Sequence, residues 1–152
     1  MNIVTRIRRA GSEGATLLAL WKAADATPSP TDTLEDIERA LASDRVDCFV
    51  AEVGGQVVGS IIAAFDGWRG YIYRLAVHPA FRRKGIARRL VDTAHESFAR
   101  WGAKRITALV ETDHPWAVSF WSAVGYAHDE RMARFVRTAP PARQLSQGLP
   151  SP

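Results

Sequence analysis

The stretch LAVHPAFRRKGIARRLV, residues 75–91, decides how the rest of this chain is read. It leads from an apolar run ending at His78-Pro79, through a glycine turn crowded with cations, into apolar residues at helical spacing. Ile86, Leu90, Val91, Ala94, Phe98 and Trp101 recur at three- and four-residue steps, and Gly102 stands where a helix C-cap belongs. A long amphipathic helix therefore starts at about Gly85. The first N–H groups of a helix have no intrahelical partner, and the helix dipole places about half a positive charge there, so a strand-turn-helix of this kind can hold a phosphate largely by backbone. Gly85 allows close approach, Ala87 is small for the same reason, and Arg82, Arg83, Lys84, Arg88 and Arg89 add long cationic side chains. Charge alone would also fit a solvated basic helix start.

Working outward, residues 71–77 read as a long central strand. The apolar, β-branched runs 46–53 and 56–65 flank Gly54-Gly55 and read as an antiparallel hairpin. Residues 3–8, IVTRIR, alternate like an edge strand, and Leu17, Leu20, Trp21 and Ala24 mark a first helix within residues 12–24. Thr33 and Asp36 have capping-box spacing ahead of Leu34, Ile37 and Leu41, so a second helix follows the prolines of TPSPTDT. Beyond the long helix, residues 105–111 predict a buried strand, and Pro115 opens a helix carrying Trp116, Ala117, Phe120, Trp121 and Val124 that Gly125 ends. Residues 131–137 predict a last strand. The proline-rich, aperiodic tail 138–152 reads as a disordered extension outside a domain of residues 1–137. Strands in a run, followed by alternating helices and strands, make a mixed sheet with helices on its faces, a three-layer α/β or α+β domain.

The chain has 152 residues, 47% of them hydrophobic and 24% charged, which suits one globular domain and argues against a disordered or coiled-coil protein. The lone Cys48, among Val46, Phe49 and Val50, reads as a buried thiol in a reducing compartment and not as a nucleophile. No apolar stretch approaches the roughly 20 residues that span a bilayer, and the N-terminus lacks a signal-peptide pattern, so a cytoplasmic protein without a membrane partner is expected. The net charge of +4 is unevenly spread. Residues 25–47 hold seven carboxylates against two arginines, whereas residues 82–105 hold eight cations against two carboxylates. The basic segment clusters at one turn without a stacking platform or helix-turn-helix pattern, which argues against a nucleic-acid partner.

The segment Arg82-Arg83-Lys84-Gly85-Ile86-Ala87 matches the pattern Arg/Gln-x-x-Gly-x-Gly/Ala, and the chain resembles the GNAT superfamily of N-acetyltransferases. The strand pattern Leu-x-Val-x-Pro appears as Leu75-Ala76-Val77-His78-Pro79, and the later Asn-x-x-Ala, Phe-Tyr and Gly-Phe as His114-Pro115-Trp116-Ala117, Phe120-Trp121 and Gly125-Tyr126. Over residues 3–137 this resemblance implies a sheet splayed between its two central strands, with acetyl-coenzyme A bound between them. Its pyrophosphate would lie on the turn at residues 83–88, its pantetheine arm along the backbone of Leu75, Ala76 and Val77, and the Val77 N–H or a neighbour's would polarise the thioester carbonyl. Acetyl would pass directly to a primary amine of a small molecule or peptide in a ternary complex, with no metal. Many relatives are dimers, so a homodimer is open to this chain.

Three positions qualify the resemblance. Trp121 stands where a tyrosine often serves as general acid; its indole cannot do so, but a thiolate leaves tolerably unaided, and Trp121 fits packing against coenzyme or core. His114 stands where asparagine is common and fits either a pantetheine contact or a helix cap. Glu111 is the candidate base for the acceptor ammonium, against the plainer reading of a surface charge at a strand end. Tyr71 and Tyr73 share one strand face and fit the acceptor site or plain sheet packing, and the acidic segment fits either a cationic acceptor or helix-dipole compensation. The substitution at Trp121 also motivates an alternative, a non-catalytic acetyl-coenzyme A-binding regulatory module.

Overall fold

The structure, a computed structural model, describes residues 4–141. The elements follow the order β1 (Thr5–Arg9), α1 (Gly14–Ala23), α2 (Leu34–Leu41), β2 (Val46–Val53), β3 (Gln56–Phe65), β4 (Gly70–Val77), α3 (Ile86–Trp101), β5 (Ile106–Ala108) and α4 (Pro115–Ala123), with a short 3-10 turn at Pro79–Phe81. The five strands lie side by side in sequence order. The first four pair antiparallel and β5 runs parallel to β4, so the sheet is mixed as the alternation of elements predicts.

The local signals act where they stand. The Thr33 hydroxyl accepts the Asp36 N–H at 3.1 Å and starts α2, and Pro115 occupies the first turn of α4. Side-chain alternation then splits the core into two layers. Cys48 and Val50 of β2 pack with Leu17, Leu20, Trp21 and Ile37 of α1 and α2. Ala51 and Val53 pack on the other face with Ile86, Leu90, Val91, Ala94 and Phe98 of α3 and with Trp121 of α4. Each such apolar side chain withdrawn from water contributes about 1.5–3 kcal/mol. Cys48 is buried, and burial pushes its thiol up to about 12, which keeps it protonated and inert. No helix in the described residues is long and apolar enough to cross a membrane.

Two expectations fail on the same side of the sheet. The buried strand predicted over residues 105–111 shrinks to Ile106–Ala108 and is only partly buried. Residues 131–137 form no strand at all, and Phe135 and Val136 stand 94% and 72% exposed. A strand is stabilised by its ladder and by a packed face rather than by alternation alone. Register shifts between Ser60 and Ile62 where β4 pairs with β3, and such a bulge bends the strand. The β4–β5 ladder accordingly covers three pairs, from Gly70↔Ile106 to Ile72↔Ala108, and β5 pairs with nothing on its outer edge among the described residues. The expected tail begins as irregular chain at residues 138–141, and residues 142–152 lie outside the described residues.

Candidate functional site

Past Ile72 the two central strands part, as the resemblance implies, and the opening forms part of a broad cleft of about 2240 Å³ whose lining also reaches Phe65, Trp101, Lys104 and Met132. Its walls include the end of β4, the chain around Glu111, the start of α4 and the α1–α2 loop, residues 24–33. The bulged end of β4 directs backbone groups into this opening. The His78 N–H donates to the Val58 carbonyl of β3 at 2.7 Å, whereas the Val77 carbonyl accepts from Arg82 Nε at 3.1 Å on the opposite edge. Because a strand residue's N–H and C=O point the same way and neighbours alternate, the N–H groups of Val77 and Leu75 face the cleft while Ala76 faces β3. The side chains of Ala76 and Val77 are buried, so only their backbone is available for recognition.

The glycine turn at the mouth of the cleft has the geometry of an anion seat. Arg83 and Gly85 adopt positive φ, 61° and 76°, and Gly85 is the N-cap of α3 without any side chain capping it. A Cβ added at Gly85 would meet no protein atom within 4 Å, so glycine serves conformation and close approach here rather than relieving a clash. Ile86 is a core side chain at 2% exposure and offers the turn only its backbone, with Ala87 beside it. The cations divide by role. Arg83, Lys84 and Arg88 are exposed and make no hydrogen bond or ion pair to a described residue, although the Lys84 ammonium lies 5.5 Å from the Phe81 ring. Arg82 is turned inward: it reaches the Val77 carbonyl, donates to the Ala24 carbonyl at 3.2 Å, and sits 5.1 Å from the Trp116 ring. Arg89 donates to the Thr5 carbonyl at 2.9 Å, tying α3 to β1.

Glu111 and His114 meet in the wall of the cleft. His114 Nε2 lies 2.9 Å from Glu111 Oε2, and His114 makes no side-chain cap for α4, so the capping reading of His114 falls away. The Thr27 N–H donates to Glu111 Oε1 at 2.9 Å. Burial raises the Glu111 pKa, but the Thr27 backbone and hydroxyl and the neighbouring His114 outweigh it and hold the carboxyl below its usual range. The donor atoms of Glu111, Asp113 and His114 converge within 4.8 Å and give this wall its acidic character. Trp121 packs edge-to-face on Tyr126 at 4.8 Å and is 7% exposed, so it belongs chiefly to the core and presents only an edge to the cleft. Tyr71 and Tyr73 share a face as predicted, their rings stacked at 6.2 Å.

Sequence reasoning passed over the residues that hold the α1–α2 loop against β4. Arg74 Nη2 donates to both carboxylate oxygens of Asp32, at 2.7 and 2.9 Å, and Nη1 donates to the Thr27 carbonyl at 3.1 Å. Neither residue belongs to a motif, and their separation of 42 positions carries no periodic signal.

The fold is thus a mixed sheet that splays beside the uncapped start of a helix. A sequence model of the Acetyltransferase (GNAT) family matches residues 15–126, so the chain belongs to that family. Solved structures repeat the fold. An aminoglycoside N-acetyltransferase in complex with coenzyme A superposes with a TM-score of 0.75 at 18% identity over 91% of this chain and 98% of that one. A predicted acetyltransferase from Clostridium acetobutylicum with acetyl-coenzyme A gives 0.74 at 16% identity, covering 88% and 96%. An aminoglycoside acetyltransferase from an uncultured soil metagenomic sample gives 0.71 at 24%, covering 91% and 100%.

Proposed function

We propose that this chain binds acetyl-coenzyme A along β4 and transfers the acetyl group directly to a primary amine. The observation that carries this reading is the alignment of two donor sets, the Leu75 and Val77 N–H groups facing the cleft and the capless start of α3 beside them. The first set suits a pantetheine arm and thioester carbonyl; the second suits the pyrophosphate, with Arg83, Lys84 and Arg88 supplying charge. In the transfer the amine nitrogen attacks the thioester carbon, the Val77 N–H stabilises the oxyanion that forms, and the C–S bond breaks to release coenzyme A as thiolate. Trp121 takes no part in protonating that thiolate, whose pKa of about 8.5 lets it leave unaided.

The acceptor enters from the side walled by residues 24–31, Glu111 and Trp116. Glu111, ionised throughout the neutral range and paired with His114, receives the ammonium proton directly or through water. The carboxylates on this wall favour a cationic acceptor, and aminoglycosides, the substrates named for several proteins of like fold, form a natural first panel alongside polyamines and peptides.

The test is calorimetric titration with acetyl-coenzyme A, using free coenzyme A and ATP as controls, followed by thiol-release assays across that amine panel. Selective binding with amine-dependent thiol release is expected. Selective binding with no release by any amine would favour the regulatory module, and no binding by folded protein would sink both.

A further inference from the structure

Arg74 is one of three non-glycine residues with positive φ among the described residues, at 51°, and it sits in the bulge that turns β4 away from β5. Its environment is unusually complete. The Ser60 hydroxyl donates to the Arg74 carbonyl at 2.8 Å and accepts the Trp21 indole N–H at 2.9 Å, so the bulge is locked from within the core. The guanidinium lies 5.0 Å from the Trp21 ring centroid, and its Nη2 spans both carboxylate oxygens of Asp32, both side chains about four-fifths buried. Its remaining donor takes the Thr27 carbonyl, while the N–H of the same Thr27 is held by Glu111.

We propose that Arg74 is a positioning residue that clamps the loop at residues 24–33 onto the β4 bulge and so sets the shape of the acceptor entrance. One side chain joins the two structures that must register for transfer, the strand whose backbone faces the thioester and the loop that walls the amine. Nη2 holds the Asp32 carboxylate and Nη1 holds the Thr27 carbonyl, so one rigid planar group fixes the loop at two points and restrains orientation as well as distance, which a single ammonium contact would not. Asp32 is thereby neutralised by the protein itself, so the cationic acceptor meets Glu111 and Asp113 rather than Asp32. The kinetic consequence rests on the acyl-transfer reading above; the clamp does not.

The test uses full-length protein carrying Arg74→Asn, Arg74→Lys or Asp32→Asn. Asparagine tolerates positive φ, so Arg74→Asn removes the guanidinium and leaves the bulge. Hydrogen–deuterium exchange should show at least tenfold faster exchange of the protected amides in residues 25–37 for Arg74→Asn and Asp32→Asn. The double variant should show less than the summed effect of the singles, since both break the Arg74–Asp32 pair. With sisomicin as amine probe, KM for the amine should rise about tenfold while kcat and the dissociation constant of acetyl-coenzyme A stay within about threefold, and Arg74→Lys should recover little. Unchanged exchange in both single variants would overturn the clamp, and equal losses in coenzyme binding and amine KM would overturn its assignment to the acceptor side. If sisomicin is not acetylated, the exchange measurement still decides the clamp, and the acyl-transfer reading is judged separately by the amine panel.

Discussion

At the scale of single residues, the chain gives each charged group of the site one task. Arg82 and Arg74 spend their hydrogen bonds on the protein, which leaves Arg83, Lys84 and Arg88 for an incoming anion. Arg83→Ala removes one charge-assisted contact, worth about 1.5–3 kcal/mol, and should weaken acetyl-coenzyme A roughly ten- to hundredfold in a calorimetric titration without changing thermal stability beyond about 1 kcal/mol. Gly85→Asp should weaken it further, because a side chain at φ 76° is strained and its carboxylate stands where phosphate approaches. An unchanged dissociation constant for either would contradict the placement of the pyrophosphate.

Glu111 belongs to the same scale. Glutamine keeps a carbonyl oxygen for the Thr27 N–H, so Glu111→Gln isolates the charge. Turnover should fall about 100-fold, with the larger deficit at low pH, where more of the acceptor is protonated and needs its proton removed. A rate equal to wild type across pH would assign the base to water or another group.

At the scale of elements, α3 and the sheet meet with little tolerance. A Cβ on Gly70, the first residue of β4, would sit 2.6 Å from Phe98 Cε1, and Phe98 is a fully buried ring between β4 and Trp101. Gly70→Ala forces that ring or the strand to shift, and should cost about 1–3 kcal/mol in denaturant unfolding. Because Gly70 pairs with Ile106, the same shift would disturb the short β4–β5 ladder that defines the base of the cleft. Acetyl-coenzyme A binding should therefore weaken along with stability.

At the scale of the whole molecule, Asp47 links the first strand to the long helix. Its carboxylate, almost wholly buried, pairs with Arg9 of β1 and with Arg100 of α3 at 3.0 Å. Burial raises its pKa, but the Ser97 hydroxyl and the two arginines outweigh it and hold the group below the usual carboxylate range. A carboxyl depressed in the folded state stabilises the fold above its unfolded value of about 3.9, and that contribution is lost as pH falls through the folded value. Wild type should therefore exceed Asp47→Asn by about 1–3 kcal/mol at pH 7, and the gap should close below pH 4 when both are unfolded by urea across pH. Both arginines are more than half exposed and return to water when the partner goes, which keeps the cost at that level. A gap that persists at low pH would show that packing, not charge, sustains it.

Local chemistry made much of this protein legible in its sequence. The hairpin, the Thr33 cap, Pro115 at a helix start and the cation-rich glycine turn each depend on residues within a few positions of one another, so their signals survive without any knowledge of the fold. The family resemblance carried by the same segment points to the backbone of Leu75, Ala76 and Val77 for the coenzyme, whereas the contact between Glu111 and His114 is read only from the structure. Tertiary structure alone decided the rest. Residues 131–137 read as a strand yet lie unpaired, because a ladder needs a partner that no local pattern supplies. Trp121 went to the core and Arg82 to the Ala24 carbonyl because the cleft's neighbours, not the motif, determined which surfaces were dry. Arg74 met Asp32 across 42 positions because a bulge in β4 aimed one side chain at a loop whose position depends on the packing of two helices.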